Sequence, residues 1–339
     1  VDETGKGSKS RLNKVVVHIA DNNTTKERTG TVNIVSDNGF EVVLVNQSKV
    51  SSKSVTSFLR DLKADNRDSY RRVAFCAHRA NTYSGTYGRA DCPENSVSAI
   101  LRCGELGIEM VEIDVRKTSD GALVCSHDDN LASTTVGSGY ISKKTLREVQ
   151  SYDMKIRENG TVVPGVHIPT LADALKAARQ AGVMVNLDLN KTTIPVSELY
   201  AAIVEAGMAD MVTCYVGGSD NVDNARKIYN YNDNHVLSLH MSVNQASACA
   251  SLSNTLTEPL FQISTSYYWD GTNASKKVST AIHNVGYCTF SNMLDYDKYI
   301  RTWQTTNLEK GLAAVQAFID ARIDIMQTDV ADGEVIRQI

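Results

Sequence analysis

Glu112, Asp114 and His127 sit on two runs of alternating character that flank Asp120-Gly121. Asp-Gly between such runs is a strong hairpin signal, because Gly accepts positive φ at little cost. A turn centred on that pair sets Asp114 opposite His127. Side chains alternate across a strand, so Glu112 and Asp114 point to one face. Two like charges side by side repel, and a cation between them relieves the repulsion. Carboxylate oxygens are hard ligands that select Mg²⁺ or Ca²⁺ over soft metals. An imidazole close by moves protons near neutral pH, so the stretch is equipped for metal-assisted acid–base chemistry.

Such a ribbon needs a scaffold. From residue 73 onward, strand-like and helix-like patterns alternate. The expected core strands are 73–78, 110–116, 183–190, 211–217, 236–240, 261–266, 286–292 and 324–329. Helical spacing separates them at 96–106, 170–181, 196–206, 221–231, 243–252, 275–284 and 308–321. With 123–127 as the return arm of the hairpin, eight strands remain for an α/β fold of the (β/α)8 TIM-barrel type, whose usual size is about 250 residues. The runner-up, a doubly wound open sheet, lacks a Gly-x-Gly-x-x-Gly fingerprint after any strand. The domain reading is 1–54 for a small β segment with a linker and 55–339 for the barrel. A short helix is expected at 333–339.

Polar residues collect at the expected carboxyl ends of the strands, where such barrels carry their sites. His78-Arg79 ends the first strand, Glu112 and Asp114 lie near the end of the second, and Asp188 and Asn190 end the third. His240, Asn292 and Asp329 end the fifth, seventh and eighth. For His240, His283 and His167 a structural role is the expectation, and for Asp329 a helix N-cap. The Tyr267-Tyr268-Trp269 cluster divides evenly between lining a pocket and packing.

Composition narrows the classes. The 339 residues are 42% hydrophobic and 22% charged, enough for a sizeable core. A net charge of −4 gives no reason to expect nucleic acid as a partner. No apolar run reaches the length of a transmembrane segment. The seven cysteines show no Cys-x-x-Cys spacing, so buried hydrophobic roles are expected, with at most one disulfide among those in loops. Three strand-like pieces, 15–20, 30–35 and 40–45, precede a linker at 48–54 and a helical stretch at 55–64. The sequence sets no oligomeric state.

Several short motifs carry a resemblance. Ala77-His78-Arg79, Pro93-Glu94-Asn95-Ser96, Glu112-x-Asp114-Val115 with Thr118-x-Asp120-Gly121, and His127-Asp128 follow one another in order. Together they resemble the glycerophosphodiester phosphodiesterases, and Asn186-Leu187-Asp188-Leu189 and Thr328-Asp329 are compatible with that family downstream. The resemblance implies a TIM barrel and a phosphoric diester hydrolase that takes a small-molecule phosphodiester and requires a divalent metal, Ca²⁺ or Mg²⁺. By motif, His78 and His127 become the acid/base pair, and Glu112, Asp114 and Asp188 the metal ligands. Arg79 holds phosphate or the metal-site carboxylates, with Asn190 and Lys191 as further substrate contacts and Glu94 and Asn95 as buttresses. Residues 19–47 are similar to the closing strands of BACON-type immunoglobulin-like modules, which implies export to a bacterial periplasm or envelope.

Three positions depart from the family pattern. Asp188 is one methylene shorter than the usual Glu, Asn190 replaces a usual Lys, and the segment from Cys288 to Asn292 lacks the usual Trp. The inserted loop 81–92 contains Tyr83 and Tyr87, which either shape a substrate wall or cover the barrel mouth. Alternatives stay open: a lyase that stops at a cyclic phosphate, a two-carboxylate glycoside hydrolase without metal, and a non-catalytic binding protein on the same barrel. The close Glu112-x-Asp114 spacing argues against the glycoside hydrolase, and retention of both histidines against the binding protein.

Overall fold

The computed structural model describes residues 28–36, 39–47, 54–66, 73–81, 91–188, 194–219, 238–243, 260–263, 273–292, 316 and 318–329. The chain divides into two compact units, Val1–Val50 and Ser51–Ile339. In the first, β1 (Arg28–Ser36) and β2 (Gly39–Gln47) form an antiparallel hairpin in continuous register from Arg28↔Gln47 to Ser36↔Gly39. The register pairs Thr31 with Leu44, Val32 with Val43 and Asn33 with Val42, a sequence rich in β-branched residue types, which favour strands. The expected strand at 15–20 lies outside the described residues.

The second unit opens with α1 (Val55–Asn66) and β3 (Ala74–Ala77), followed by α2 (Val97–Leu106), β4 (Met110–Lys117) and β5 (Leu123–Cys125). An excursion then carries α3 (Leu146–Val149), β6 (Met154–Lys155) and β7 (Val162–Val163). Next come α4 (Leu171–Ala181), β8 (Met184–Asp188), α5 (Val196–Glu205), β9 (Val212–Ser219), β10 (Ser238–Val243) and β11 (Leu260–Ile263). The described chain ends with α6 (Asn273–Asn284), β12 (Cys288–Asn292) and β13 (Ile325–Thr328). Of the nine strands in the main sheet, β5 hangs antiparallel on β4 and the other eight run parallel. β13 pairs with β3 and β3 with β4, so the eight close into a ring. The structure is the expected TIM barrel.

The pleat sorts the strand residues into two sets. Phe75, Ala77, Val111, Ile113, Val115, Val185, Leu187 and Val212 pack outward with residues of α2, α4 and α5. Ala74, Cys76, Met110, Met184, Phe290 and Ile325 point inward and meet Val55, Phe58, Leu59 and Leu62 of α1. These four α1 residues recur at helical spacing on one face. The Val55 amide donates to the Asp210 carbonyl just before β9, at 2.7 Å, and the Cys288 thiol donates to the Leu59 carbonyl at 3.3 Å. Helix α1 therefore lies across the amino-terminal end of the barrel as its floor. Each fully buried side chain there contributes about 1.5–3 kcal/mol.

Local signals fix the helices beside the site. Ser96 caps α2 by accepting from the Ala99 amide, and Gly107 ends it in the left-handed region at φ 76°. Thr170 and Gly182 do the same for α4. The excursion between β5 and α4 has its own small core of Val124, Leu131, Ile141, Val149, Met154 and Ile168. A capping box, Thr145 with Glu148, starts α3 within it. The described cysteines, Cys76, Cys92, Cys103, Cys125, Cys214 and Cys288, are buried free thiols. Among the described residues no helix is long and apolar enough to cross a membrane.

Two expectations need correction. The hairpin pairs Val115 with Cys125 and Lys117 with Leu123, and the Ser126 amide donates to the Asp114 carbonyl at 3.1 Å. Asp114 thus stands opposite Ser126 rather than His127. The cause is loop length: Thr118 and Ala122 close a three-residue loop, Ser119 to Gly121, with Gly121 at φ 91°. That form competes with the two-residue turn and slips the register by one. The fifth barrel strand is Ser238–Val243, so His240 lies inside it rather than at its end. The polar Ser242 hides the strand's continuation past His240 from a hydrophobic reading. The helices expected at 221–231 and 333–339 and most of 243–252 and 308–321 lie outside the described residues.

Candidate active site

Alternation along β4 turns Glu112 and Asp114 to the barrel interior, while Val111, Ile113 and Val115 serve the helix-facing core. The register sets Glu112 beside Asn186 and Asp114 beside Asp188 on β8. One oxygen from each of Glu112, Asp114 and Asp188 lies within 4.8 Å of the others. Glu112 is 3% exposed and Asp114 5%. Burial first, and then the charges of Asp114 and Asp188, push the Glu112 carboxyl well above the usual carboxylate range, against the opposing pull of Arg79. Glu112 Oε1 is buried without a hydrogen-bond partner, an arrangement that costs free energy unless something supplies positive charge. Three hard oxygens around one point, one of them unsatisfied, fit a divalent cation.

The loops around the cluster are bent to serve it. Arg79 and Ala80 both adopt left-handed backbone, at φ 54° and 51°. That conformation costs non-glycine residues roughly 1–2 kcal/mol each, and here it aims the Arg79 amide at Glu112 Oε2, 2.8 Å away. Asn95, also left-handed at φ 57°, donates its amide to the Arg79 carbonyl at 2.6 Å. Its side chain donates to Asp114 Oδ2 at 3.0 Å and accepts from the Asp114 amide at 3.2 Å. Arg79 extends its guanidinium to Glu94, 3.2 Å, and brings Nε to 3.7 Å from Asp114. Of the two tasks expected for Arg79, the described contacts are with the carboxylates.

Each histidine carries a carboxylate on Nδ1. His78 Nδ1 is 2.6 Å from Asp329 Oδ1, and its Nε2 is 3.8 Å from Glu112 Oε2. His127 Nδ1 is 2.9 Å from Asp128 Oδ1, while the Arg116 guanidinium donates to the His127 carbonyl, from Nε at 3.2 Å. An ionised carboxylate on Nδ1 assigns the proton there and leaves Nε2 to exchange protons with a substrate. Burial pushes the Asp128 carboxyl up, but hydrogen bonds from Arg157, His127 and Ser133 outweigh it and bring the group below its ordinary range. Of the two, His78 has its Nε2 beside Glu112 of the anionic cluster, where an imidazole can pass protons to and from a group bound at the strand ends.

Asp329, Asp128 and Arg157 are the residues the sequence reading did not assign to the site. Asp329 follows β13, whose Thr328 pairs with Ala77, so ring closure brings residue 329 beside His78. The capping partner expected for Asp329 lies outside the described residues. Arg157 Nη2 reaches Glu94 Oε1 at 2.8 Å and Asp128 Oδ2 at 2.9 Å. Asn190, Lys191, Tyr83, Tyr87 and the aromatic cluster at 267–269 lie outside the described residues. His167 hydrogen-bonds the Tyr152 carbonyl at 3.1 Å, and His283 sits 2.7 Å from Asp324, both remote from the cluster in sequence and partner. Asn292 ends β12 with a buried Oδ1 that has no hydrogen-bond partner.

Comparison with known proteins gives a consistent set of matches. Residues 78–285 match the model of the glycerophosphoryl diester phosphodiesterase family. A glycerophosphodiester phosphodiesterase of Caldanaerobacter subterraneus subsp. tengcongensis is 34% identical over 113 residues, 33% of this chain and 44% of that protein. Glycerophosphodiester phosphodiesterase 1 of Rattus norvegicus is 33% identical over 105 residues, 31% of this chain and 30% of that protein. The chain thus spans less than half the length of these curated relatives. A crystal structure of a glycerophosphoryl diester phosphodiesterase from Parabacteroides distasonis superposes with a TM-score of 0.65 at 23% identity, covering 82% of this chain and 91% of that one. A glycerophosphodiester phosphodiesterase structure from Agrobacterium tumefaciens gives 0.54 at 17%, covering 78% and 100%. At these identities the two structures speak for the shared barrel.

Proposed function

This chain belongs to the glycerophosphoryl diester phosphodiesterase family, and on that premise we propose that it hydrolyses glycerophosphodiesters to a glycerol phosphate and an alcohol. What supports the reading is the cluster of Glu112, Asp114 and Asp188 with His78 Nε2 3.8 Å from Glu112, together with His127 one residue past Ser126, whose amide bonds the Asp114 carbonyl, each histidine having a carboxylate on Nδ1. A binding protein on the same barrel has no need of two imidazoles with fixed tautomers. In the reaction, Nε2 of one histidine takes the proton of the attacking hydroxyl, either water or the neighbouring hydroxyl of the glycerol. The P–O bond to the head-group alcohol breaks, and the other histidine, starting as the imidazolium, gives its Nε2 proton to the departing oxygen; where the glycerol hydroxyl attacks, water then opens the cyclic phosphate with the two histidines exchanging roles. Acid–base catalysis of this kind supplies roughly 10²–10⁴-fold.

Glu112, Asp114 and Asp188 would hold the divalent metal, Ca²⁺ or Mg²⁺. When bound, that ion offsets the negative charge of the phosphoryl oxygens. Asn95 holds Asp114 through two hydrogen bonds, and the Arg79 amide holds Glu112, so the carboxylates keep their aim whether loaded or not. Asp188 in place of a Glu draws the third ligand back by one methylene, which favours the larger Ca²⁺ with its flexible coordination over octahedral Mg²⁺.

The test is turnover of glycerophosphocholine by the purified chain, with and without EDTA, followed by add-back of Ca²⁺ or Mg²⁺. Release of choline that EDTA stops and metal restores supports the reading. Turnover indifferent to EDTA would keep the phosphodiester chemistry and overturn the metal's part in it, and no turnover with either metal would leave the binding-protein reading. Phosphorus NMR of the products separates a hydrolase from a lyase that stops at the cyclic phosphate.

A further inference from the structure

Arg157 occupies a place that neither the motifs nor the metal cluster explain. It opens the turn between β6 and β7, on a hairpin whose base is the fully buried Met154. The turn is tightly built: the Ile156 amide donates to the Thr161 carbonyl and the Gly160 amide to the Ile156 carbonyl, both at 2.8 Å, with Gly160 at φ 72°. From this base the guanidinium reaches into the site. Its Nη2 carries two N–H bonds, and Nη2 lies 2.8 Å from Glu94 Oε1 and 2.9 Å from Asp128 Oδ2. Glu94 also accepts from Arg79, and Asp128 holds His127. A continuous chain results: Arg79, Glu94, Arg157, Asp128, His127. Glu158, the next residue of the turn, accepts from Asn81 Nδ2 at 2.9 Å, which ties the same turn to the loop that follows His78.

We propose that Arg157 is a positioning residue that locks the two histidine loops to each other, fixing the ring of His127 through Asp128 and the loop of His78 through Glu94. The physical reason is charge. Glu94 is 5% exposed, and without Arg157 it and Asp128 would face each other across the gap with Arg79, on one side, the cation left among the described residues. Asp128 would then have one partner fewer to keep it ionised and aimed at Nδ1 of His127. A guanidinium suits the task because one planar head serves two carboxylates at once. The excursion between β5 and α4 thereby becomes part of the catalytic machinery rather than a cover over it.

The inference rests on the phosphodiesterase reading, so its test has one arm that needs no turnover. In the free protein with ¹⁵N-labelled histidine, the His127 ring is expected to show a single tautomer protonated at Nδ1. Arg157→Ala is expected to give a mixture of tautomers, with the His78 ring less affected. In the kinetic arm, Arg157→Ala should lower kcat on the order of 10–100-fold, less than the ~10²–10⁴-fold of a lost acid–base group, with KM within about threefold. Millimolar guanidinium should restore part of that loss, and Arg157→Lys, the variant gentler on folding, should retain more kcat than the alanine variant. Thr161→Ala on the same turn should behave as wild type. An unchanged His127 ring signal overturns the proposal, as does a kcat within twofold of wild type in the alanine variant or a loss that neither guanidinium nor Lys recovers. If the wild-type chain turns over no phosphodiester, the functional reading falls, and the ring tautomer still decides the clamp.

Discussion

Glu112→Gln should make the metal-free protein more stable while removing its response to metal. Glu112 is buried among Asp114 and Asp188 and carries an oxygen with no hydrogen-bond partner. Burial and the two like charges hold its carboxyl well above the usual range, so the folded chain binds protons more tightly than the unfolded one. The sign follows: stability from this group falls as pH rises from the unfolded carboxylate value, about 4.3, toward the raised folded value. Glutamine keeps the shape and the acceptor for the Arg79 amide and offers the neighbouring carboxylates an N–H in place of a charge. Relief of one unsatisfied buried acceptor is worth about 1–3 kcal/mol, and for a domain of this size each kcal/mol moves Tm by about 2 °C. The expectation without metal is a Tm some 2–6 °C above wild type at pH 7.5. With Ca²⁺ at a hundred times its Kd, wild type should gain about 2.7 kcal/mol and the variant little. Thermal unfolding of both proteins in EDTA and across a Ca²⁺ titration measures this. A variant less stable than wild type in EDTA, or equally stabilised by Ca²⁺, would refute the picture of repelling carboxylates awaiting a cation.

Three further outcomes are expected. Asp329→Asn should reduce kcat by a sizeable part of the ~10²–10⁴-fold range of a lost acid–base group with little change in KM, because the amide no longer fixes the His78 tautomer; steady-state kinetics with glycerophosphocholine check it, and a wild-type Ca²⁺-induced Tm shift shows the cluster intact. Leu62→Ala, at a fully buried site in the barrel floor, should cost about 2–5 kcal/mol in urea unfolding and leave kcat at 20 °C near wild type. The depressed Asp128 carboxyl contributes stability above the unfolded value of about 3.9 and loses it as pH falls below that, so Asp128→Asn should flatten the acid limb of the stability–pH curve.

Local rules made much of the site legible. Period-two alternation is enough to turn Glu112 and Asp114 to the same side, and their oxygens do converge with that of Asp188. Ser96 and Thr170 announce the starts of α2 and α4, and Gly107 and Gly182 their ends. What escaped depends on distance or on a single residue of loop. The register of the β4–β5 hairpin turns on whether Thr118 and Ala122 or Ser119 and Ala122 close the loop, a choice the Asp-Gly pair alone does not make. Asp329 looks like a cap until the ring closes and β13 meets β3. Arg157 lies in the turn between two two-residue strands with no periodic pattern, and its partners are distant in sequence. Tertiary contacts of that kind leave no local trace.

The barrel interior changes character along its length, and the change bears on how the site works. Near the strand starts the inward residues are Ala74, Met110, Met184 and Ile325, sealed by α1. Two residues further along the same strands come Cys76, Glu112, Asn186 and Gln327, then His78, Asp114, Asp188 and Asp329 at the rim. Two residues of strand is about 6.6 Å, so the charged cluster rests almost directly on apolar packing. Cys76 registers this: burial first, and Glu112 after it, push its thiol well above the ordinary range. A dry floor keeps the effective dielectric low beneath the carboxylates, which strengthens both their mutual repulsion and their attraction for a cation. Helix α1 therefore acts on the site without touching it. A polar group introduced there, such as Leu59→Asn, should weaken Ca²⁺ binding by admitting water under Glu112, whereas Leu59→Met should not. Isothermal titration of the two variants separates the role of dryness from that of packing, because both disturb the same buried position and only one brings a group that water follows.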